Sequence, residues 1–562
     1  MYTFLLLVLG LVAIMIILVI AITIYDRFFQ TKNVLLGNFP FLGRFRYLFH
    51  ELRPFFRQYF GDDNAFAPRI IIDWILNVSN GKSGYFAFDK FDTTHSLHNG
   101  KFQMVHSSNP LNMEEVDPVY PLVGETKKHP FQMHSFFYRS AMSLGSLGFE
   151  ATYAMSKACA NIKAPFNTGE GSLSIQHIPN VQFSYDRKFF KYKKVPTWKK
   201  LIYKILPGKR LQNRWKEMMG NALLGQHRDL YLLDEKNWLF YSINWNAPLS
   251  DFPKPHELTD EFGQIILQIG SALYGLRGKT EDGSVVIDWD RFQKISSFVR
   301  AIEIKLAQGA KQTGGILKKN KNTPAIAEIR GIHPGKDLIS PNRFPYYNKD
   351  GEKEFFDFMD MLSEKSGGKP VGCKIVISDE SNIEPLAQEL AKRKPGSGPD
   401  FFTIDGGDGG SGAAPIALSI LFGKRIFEAL DIVTQVLKKH NVRDRVKIFA
   451  SSKLYAPHMS AHAMALGADA IGNARSIMIS AGCIRAGVCS GEFENCPVGL
   501  ATMDLGKRRA YAQAIDKKVE QIGNYITAHN HGLIQVAAVC GVKSPSELGE
   551  KHIVRKYIPS KK

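Results

Sequence analysis

Between Asp400 and Asp504 three short apolar runs, Phe401–Ile404, Val446–Ala450 and Ala468–Gly472, each end in small residues, and helical periodicity separates them. That rhythm is the mark of parallel strands joined by crossover helices. The expected fold is α/β, a (β/α)8 barrel, which places its site at the strand ends, where the glycine, serine and asparagine positions fall. The run Asp405–Gly412, DGGDGGSG, is too rich in glycine for a strand interior. Its backbone N–H groups, those of Gly406, Gly407, Gly409 and Gly410 among them, can form a nest for an anion. Phosphate sites in such barrels follow the last two strands. That points to Ser451, Ser452 and Lys453, then to Gly472, Asn473, Ala474 and Arg475.

Half of the six cysteines lie just beyond: Cys483, Cys489 and Cys496, the last followed by Pro497. Six are too few for a disulfide framework in 562 residues. Three thiolates in one loop suit an iron–sulfur cluster. Zinc would need a fourth ligand, for which His458 and His462 are the candidates; a degenerate, cluster-free site is the other reading. Cys159, Cys373 and Cys540 are scattered and read as core residues.

At the other end, Phe4–Ile24 is an uncharged apolar run long enough to cross a bilayer. It lacks the basic start and small-residue cleavage site of a signal peptide, so a retained anchor is expected. Arg27, Lys32, Arg44 and Arg46 follow it, which places the body on the cytoplasmic side of an inner membrane, as a single-pass protein. Asn33–Phe60 repeats apolar and aromatic residues at helical spacing, as a helix lying either on the domain or on the membrane surface. The net charge of +19 calls for an anionic partner. No signature of a nucleic-acid module accompanies it, so a membrane surface or an anionic small molecule is expected and nucleic acid is not.

Further barrel strands are expected at Ser140–Ser146, at Ala164–Ser174, at Ile265–Gly275, at Ala301–Gly309 and at Val371–Ser378, with a helix over Phe149–Ala160. The Gly169-Glu170-Gly171 turn lets backbone approach a ligand and presents one carboxylate. Lys305 stands in an apolar run at strand spacing. A buried lysine needs a partner, which marks it as functional.

Taken together, SAMSLGS, NTGEGS, IEIKLAQGAK, AEIRGIHPGKDLIS, GGDGGSGAAP and CPVGLATMD resemble the FMN-binding domain of glutamate synthase. With NVLLGNFPFLGRFRYLF and GNARSIM, the chain resembles the short membrane-anchored bacterial members of that FMN-binding family. The resemblance implies bound FMN, held by Met142, Ser143, Thr168, Gln268 and the glycine and phosphate-loop residues above, with Lys374 beside the flavin ring. It implies that Glu170, Lys305, Gln308, Lys311 and Arg330 line the pocket for flavin and 2-oxoglutarate, a dicarboxylate that cations grip. It further implies a 3Fe–4S cluster on the cysteine trio, which here carries two extra residues between Cys489 and Cys496.

Three places depart from the family. Gln312-Thr313 replaces a Pro-Gly, no histidine follows Ile339-Ser340-Pro341, and Ser451–Lys453 replaces an Asp-Gly-Gly. About eighty residues, 178–259, stand where the family has a short connection. Within them, Asp186–Trp215 is dense in Lys, Arg and aromatics, either solvated and packed on the barrel or facing a membrane or partner. The expected organisation is an anchor over 1–26, a wrapping segment over 27–135, the barrel over 136–510 with that insertion, and a helical extension over 511–562. The expected function is FMN-dependent reductive amination of 2-oxoglutarate, or a related keto acid, to glutamate. No glutaminase domain is expected, and the electron donor is not identified. A membrane-tethered redox relay or scaffold without catalysis is the alternative.

Overall fold

The apolar runs form strands because both of their faces are covered, as the parallel sheet of a barrel requires. The eight are β1 (Phe137–Arg139), β2 (Pro165–Asn167), β3 (Gln264–Ile269), β4 (Ala301–Lys305), β5 (Val371–Ile375), β6 (Phe401–Asp405), β7 (Lys447–Ser451) and β8 (Ala470–Asn473). Each pairs in parallel with the next, and β8 returns to β1, with Asn473 opposite Arg139, to close the barrel. The chain is seen in a computed structural model that describes residues 2–49, 68–86, 103–312, 314–348, 351–411, 414–415, 417–418, 421–485, 489 and 496–554. The expected helix beyond residue 49, much of the wrapping segment, Thr313, Gly412 and the tail past 554 lie outside them.

Alternation along the strands sorts the interior into layers. The lowest is apolar: Tyr138, Ile266, Ala301, Phe401, Phe449 and Ala470 pack together, with Phe401 and Phe449 stacked at 4.8 Å. A hairpin of Leu122–Val123 with Phe131–Gln132 closes this end, adding Val123, Phe131 and Met133 to the same cluster. The middle layer is polar and centres on Glu303. The top layer carries Lys305, Lys374 and Asp405.

The strand expected at Ser140–Ser146 lies earlier: β1 is Phe137–Arg139, and residues 140–146 form the turn that follows. The buried Phe136–Arg139 run supplies the apolar face, while Gly145, at φ 104°, breaks extended geometry. β3 and β4 likewise stop at Ile269 and Lys305, before the glycines that end their expected segments.

Outside the barrel, helix Phe149–Asn161 matches its expected position and packs against the long helix Ile515–Val539. His529 of that long helix stacks on Phe137 at 3.9 Å. The insertion folds as a three-stranded antiparallel sheet, Phe190–Lys194, Leu232–Asp234 and Leu239–Ile243, with helices Thr197–Ile205 and Gly208–Leu224 between its first two strands. The N-terminal helix Tyr2–Ile24 leads a stretch, Leu6–Phe29, that is long and apolar enough to cross a membrane, and its described side chains are largely exposed.

One side chain ties three of these parts together. Arg508, 2% exposed, forks onto Glu150 at 2.7 and 2.9 Å and onto Asp229 at 2.8 Å twice. Glu150 belongs to the helix after β1, Asp229 to the insertion and Arg508 to the helix Leu505–Gln513. Burial alone would weaken the guanidinium's hold on its proton, but the two carboxylates outweigh it and raise its pKa. Arg508→Ala is expected to destabilise the protein by about 3–5 kcal/mol, because it strands two carboxylates around an emptied site. Chemical denaturation in detergent measures this. Arg508→Lys is expected to recover only part of the loss, since an ammonium cannot fork onto both partners.

Candidate active site

Glu303 is the middle of the site's foundation. Its carboxylate, 1% exposed, accepts from Asn167 Nδ2 at 2.8 Å, Gln268 Nε2 at 2.6 Å and Thr403 Oγ1 at 2.5 Å. Four strands are thereby joined through one buried acid, as a buried charge demands. Sequence reasoning passed over Glu303, although the alternation of Ala301–Lys305 puts it on the same inward face as Lys305. A charged residue at that parity was the available signal.

Above it, β4 and β5 set Lys305 and Lys374 side by side as register partners. Lys305 Nζ lies 3.2 Å from Glu170 Oε1 and donates to Gln308 Oε1 at 3.2 Å. Gln308 Nε2 in turn donates to the Gly410 carbonyl at 3.2 Å. Lys374 Nζ lies 3.1 Å from Asp405 Oδ2. Burial would strip the proton from Lys374, but Asp405 and Glu303 prevail and raise its pKa, so it stays a cation.

Glu170 reaches this position because two glycines make way. A Cβ at Gly270 would sit 2.5 Å from Glu170 Oε2, and one at Gly315 would sit 1.8 Å from Oε1. Burial pushes the Glu170 pKa up; Lys305, Arg330 and Lys311 push it down harder, and the net shift is downward. Lys311 is lowered to about 8 by burial and by its neighbour Lys305, with Glu170 opposing. The turn that presents Glu170 has Gly169 at φ 67°, and a Cβ there would strike the Ser143 amide at 2.6 Å.

These groups open into one cavity of about 410 Å³ at the C-terminal ends of the strands. Of the residues expected at the site, Met142, Ser143, Glu170, Gln268, Lys305, Gln308, Lys311, Lys374, Gly409, Gly410, Ser451, Ser452, Lys453, Ala474 and Arg475 line it, as do Cys483 and Cys489. The others stand behind the wall. Thr168 Oγ1 accepts from the Gln268 amide at 3.1 Å. Arg330 donates to the Leu144 carbonyl at 2.9 Å and lies over Tyr274, backing Glu170 from the second row. Gly406 and Gly407 do not form the expected anion nest: their amides donate to the Ser451 carbonyl at 3.0 Å and the Lys424 carbonyl at 2.7 Å, and the Gly409 amide donates to the Gly406 carbonyl at 2.7 Å. Gly472 is a glycine because a side chain there would strike Tyr138. Asn473 braces the two phosphate-type loops, donating to the Ser452 carbonyl at 2.7 Å and accepting from the Ser476 amide at 2.9 Å.

Cys496 is buried in the main core cluster, against which Cys483 and Cys489 also pack. Burial, with Cys489 and Cys496 adding to it, pushes the Cys483 thiol up to about 11. Among the described residues no three of His, Cys, Asp and Glu assemble as a metal-ligand set. Sequence reasoning also missed Lys321, whose Nζ donates to the Cys489 carbonyl at 2.7 Å, and Arg485, at φ 58° on the cavity wall. A lysine in the run Leu317–Asn322 reads as solvated surface, so nothing in the pattern singled Lys321 out.

The comparisons with known proteins agree with this geometry. Residues 87–543 match the family model described as the conserved region in glutamate synthase. The chain is 30% identical to the glutamate synthase large subunit-like protein YerD of Bacillus subtilis, over 97% of this chain and 94% of that one. It is 27% identical to the archaeal-type NADPH glutamate synthase of Thermotoga maritima, over 54% of this chain and 55% of the relative. It is 30% identical to the ferredoxin-dependent glutamate synthase of Pyropia yezoensis, over 46% of this chain but only 16% of the relative. A closed eight-stranded barrel with this site, matched over most of its length, makes the chain a member of the glutamate synthase family.

Proposed function

We propose that the chain is an FMN-dependent oxidoreductase of glutamate-synthase type that forms glutamate from 2-oxoglutarate and ammonia, or the corresponding amino acid from a related keto acid, with the two electrons supplied to the flavin by an external donor. The observation that carries this is the pair of buried lysines, Lys305 and Lys374, on adjacent strands beneath one cavity. The residues fit FMN. The cavity is of ligand size, with glycine backbone at Gly409 and Gly410 on one wall and the cations Lys453 and Arg475 toward the phosphate loops. A Cβ at Gly410 would come within 3.2 Å of Arg475 Nη2, so glycine keeps that approach open. Lys374, kept charged by Asp405, would face the ring and favour its anionic reduced form. Bound there, the flavin would supply hydride transfer to an imine.

The protein's part is to hold the acceptor. Lys305 and Lys311 offer two cations to a dicarboxylate, with Arg330 adding its field from behind Glu170. Glu170 balances these cations and can orient the nitrogen that is added. The 3Fe–4S cluster implied by the cysteine trio is retained only as a proposal. Its support is that Cys483 and Cys489 line the cavity and pack against the core cluster that holds Cys496, and no step is routed through it. The apolar N-terminal helix is proposed to anchor the chain in the inner membrane with the barrel in the cytoplasm, supported by Arg27, Lys32, Arg44 and Arg46 after it.

Purified protein is expected to show oxidised-flavin absorbance. Lys374→Met is expected to keep the flavin but make its reduction potential more negative, on the order of 100 mV, by removing one nearby positive charge. A colourless wild-type protein that also fails to take up added FMN defeats the proposal.

The pH dependence of binding follows from Lys311. Its pKa is lowered to about 8, so its positive charge is present below that pH and lost as pH rises through it. Affinity for 2-oxoglutarate is therefore expected to fall as pH rises through about 8, by up to ~10-fold between pH 7 and 9, because one titrating proton changes affinity at most about tenfold per pH unit. Calorimetric titration of wild type and Lys311→Met between pH 7 and 9 measures it; the variant is expected to bind weakly and without that slope.

For the cysteines, anaerobically purified protein is expected to contain iron and acid-labile sulfide, both lost in Cys496→Ser while flavin is retained. Iron-free protein with full flavin removes the cluster and leaves the flavin proposal standing.

A further inference from the structure

The insertion presents an apolar face that nothing described covers. On the helix Thr197–Ile205, Trp198, Leu201 and Ile205 are 59%, 64% and 77% exposed. They recur at i, i+3 and i+7, so they form one stripe. Lys199, Lys200 and Lys204 flank it. The opposite face holds the helix to the protein. Trp215 Nε1 donates to the Lys199 carbonyl at 2.9 Å, and Tyr203 meets Trp238 edge to face at 4.8 Å. A helix that served only to cover the barrel would be mounted the other way round.

The next helix, Gly208–Leu224, runs onto the end of the apolar N-terminal helix. Arg210 Nη1 donates to the carbonyls of Asp26 at 2.8 Å and Gln30 at 3.1 Å. Arg27, Arg210 and Arg214 share a small cavity of about 40 Å³ with Phe28 and Leu211. Arg509 also lines it, but its guanidinium is bound to Glu217 at 2.6 and 2.7 Å. Among the described residues no carboxylate lines this cavity, and Asp26 is turned to Arg44 at 2.7 Å. Three guanidinium groups thus converge, with apolar side chains, where the N-terminal span ends.

We propose that residues 197–218 are a second membrane contact, in which the stripe of Trp198, Leu201 and Ile205 enters the headgroup layer and Arg27, Arg210 and Arg214 receive the phosphate of an anionic phospholipid. This rests on the reading of Tyr2–Ile24 as a membrane span. An amphipathic helix with tryptophan on its apolar face and lysines beside it lies in the plane of an interface, its ammonium groups reaching to the headgroups. Arginines at such a surface add to the attraction of anionic lipid. The continuity of the arm with the span, through Arg210, places both at the same depth. Free phosphate would satisfy the arginines but not the stripe. A span alone leaves the barrel free to swivel about one axis; span and arm together fix which of its faces meets the bilayer.

The test uses the full-length protein in phosphatidylcholine vesicles, with and without phosphatidylglycerol, in which the lipids carry bromine near the headgroup end of the acyl chain. Bromine quenches tryptophan that reaches it. Subtracting Trp198→Phe from wild type isolates Trp198 among the six tryptophans. The expected result is quenching assigned to Trp198 in anionic vesicles, with ~5-fold weaker engagement of the arm in Arg214→Gln, the effect of one cation near an anionic surface. Equal quenching in wild type and Trp198→Phe overturns the proposal. Quenching that ignores lipid charge, or that inorganic phosphate abolishes, overturns the lipid-phosphate assignment. Alkaline carbonate extraction separates the two readings. Protein washed from the vesicles defeats the span and the arm together, whereas integral protein with unquenched Trp198 defeats the arm alone.

Discussion

A carboxylate buried in the middle of a barrel is tolerable only if its surroundings donate to it from several sides. Glu303 receives Asn167, Gln268 and Thr403, one from each of three other strands. That requirement fixes more than Glu303 itself. Gln268, held by its side chain, fixes the β3 end, where the Gly270 backbone leaves room for Glu170. Thr403 is the register partner of Lys374 and lies two positions before Asp405, the acid that keeps Lys374 charged. The cations of the cavity floor are thus set by a polar layer beneath them, which rests in turn on an apolar layer closed by a hairpin. The site has little freedom to deform, because each layer uses the donors or the packing of the next.

The segment that follows the apolar helix is joined to the cavity wall as well as to the insertion. Asn38 Nδ2 donates to the Pro497 carbonyl at 3.0 Å, next to Cys496. Arg46 Nη2 reaches the Ile484 carbonyl at 3.4 Å, next to Cys483. Ile484 and Pro497, the chain neighbours of Cys483 and Cys496, are therefore tied to the segment that follows the apolar helix, while Cys483 and Cys489 line the cavity.

Much of the fold could be read from the sequence, for one physical reason: strands buried on both faces must be apolar runs, and such runs are visible. The runs that become β6, β7 and β8, and the helix after β1, are placed to within a residue or two. β1 was shifted because SAMSLGS looks like a strand end and is in fact the turn beyond it. At the site, lysines on apolar strands gave themselves away, as Lys305 and Lys374 show. What could not be read was division of labour. Gly472 and Gly409 look alike in sequence, yet one accommodates Tyr138 and the other lines the cavity. Asn473 and Arg475 sit in the same motif, but the first is consumed in bracing two loops. Such distinctions depend on which atom lies opposite, and that is set by the folded geometry rather than by the local pattern.

The pairing of β8 with β1, and the fork of Arg508 onto Glu150 and Asp229, have a consequence in time. Both join early parts of the chain to parts made much later, so neither can form until nearly all of the polypeptide has left the ribosome. Until then the barrel is an open sheet with two unpaired edges, and Glu150 and Asp229 repel where they will later share one cation. Those edges stay open to pairing with other chains until the last strand arrives, the association that slow-closing sheets invite.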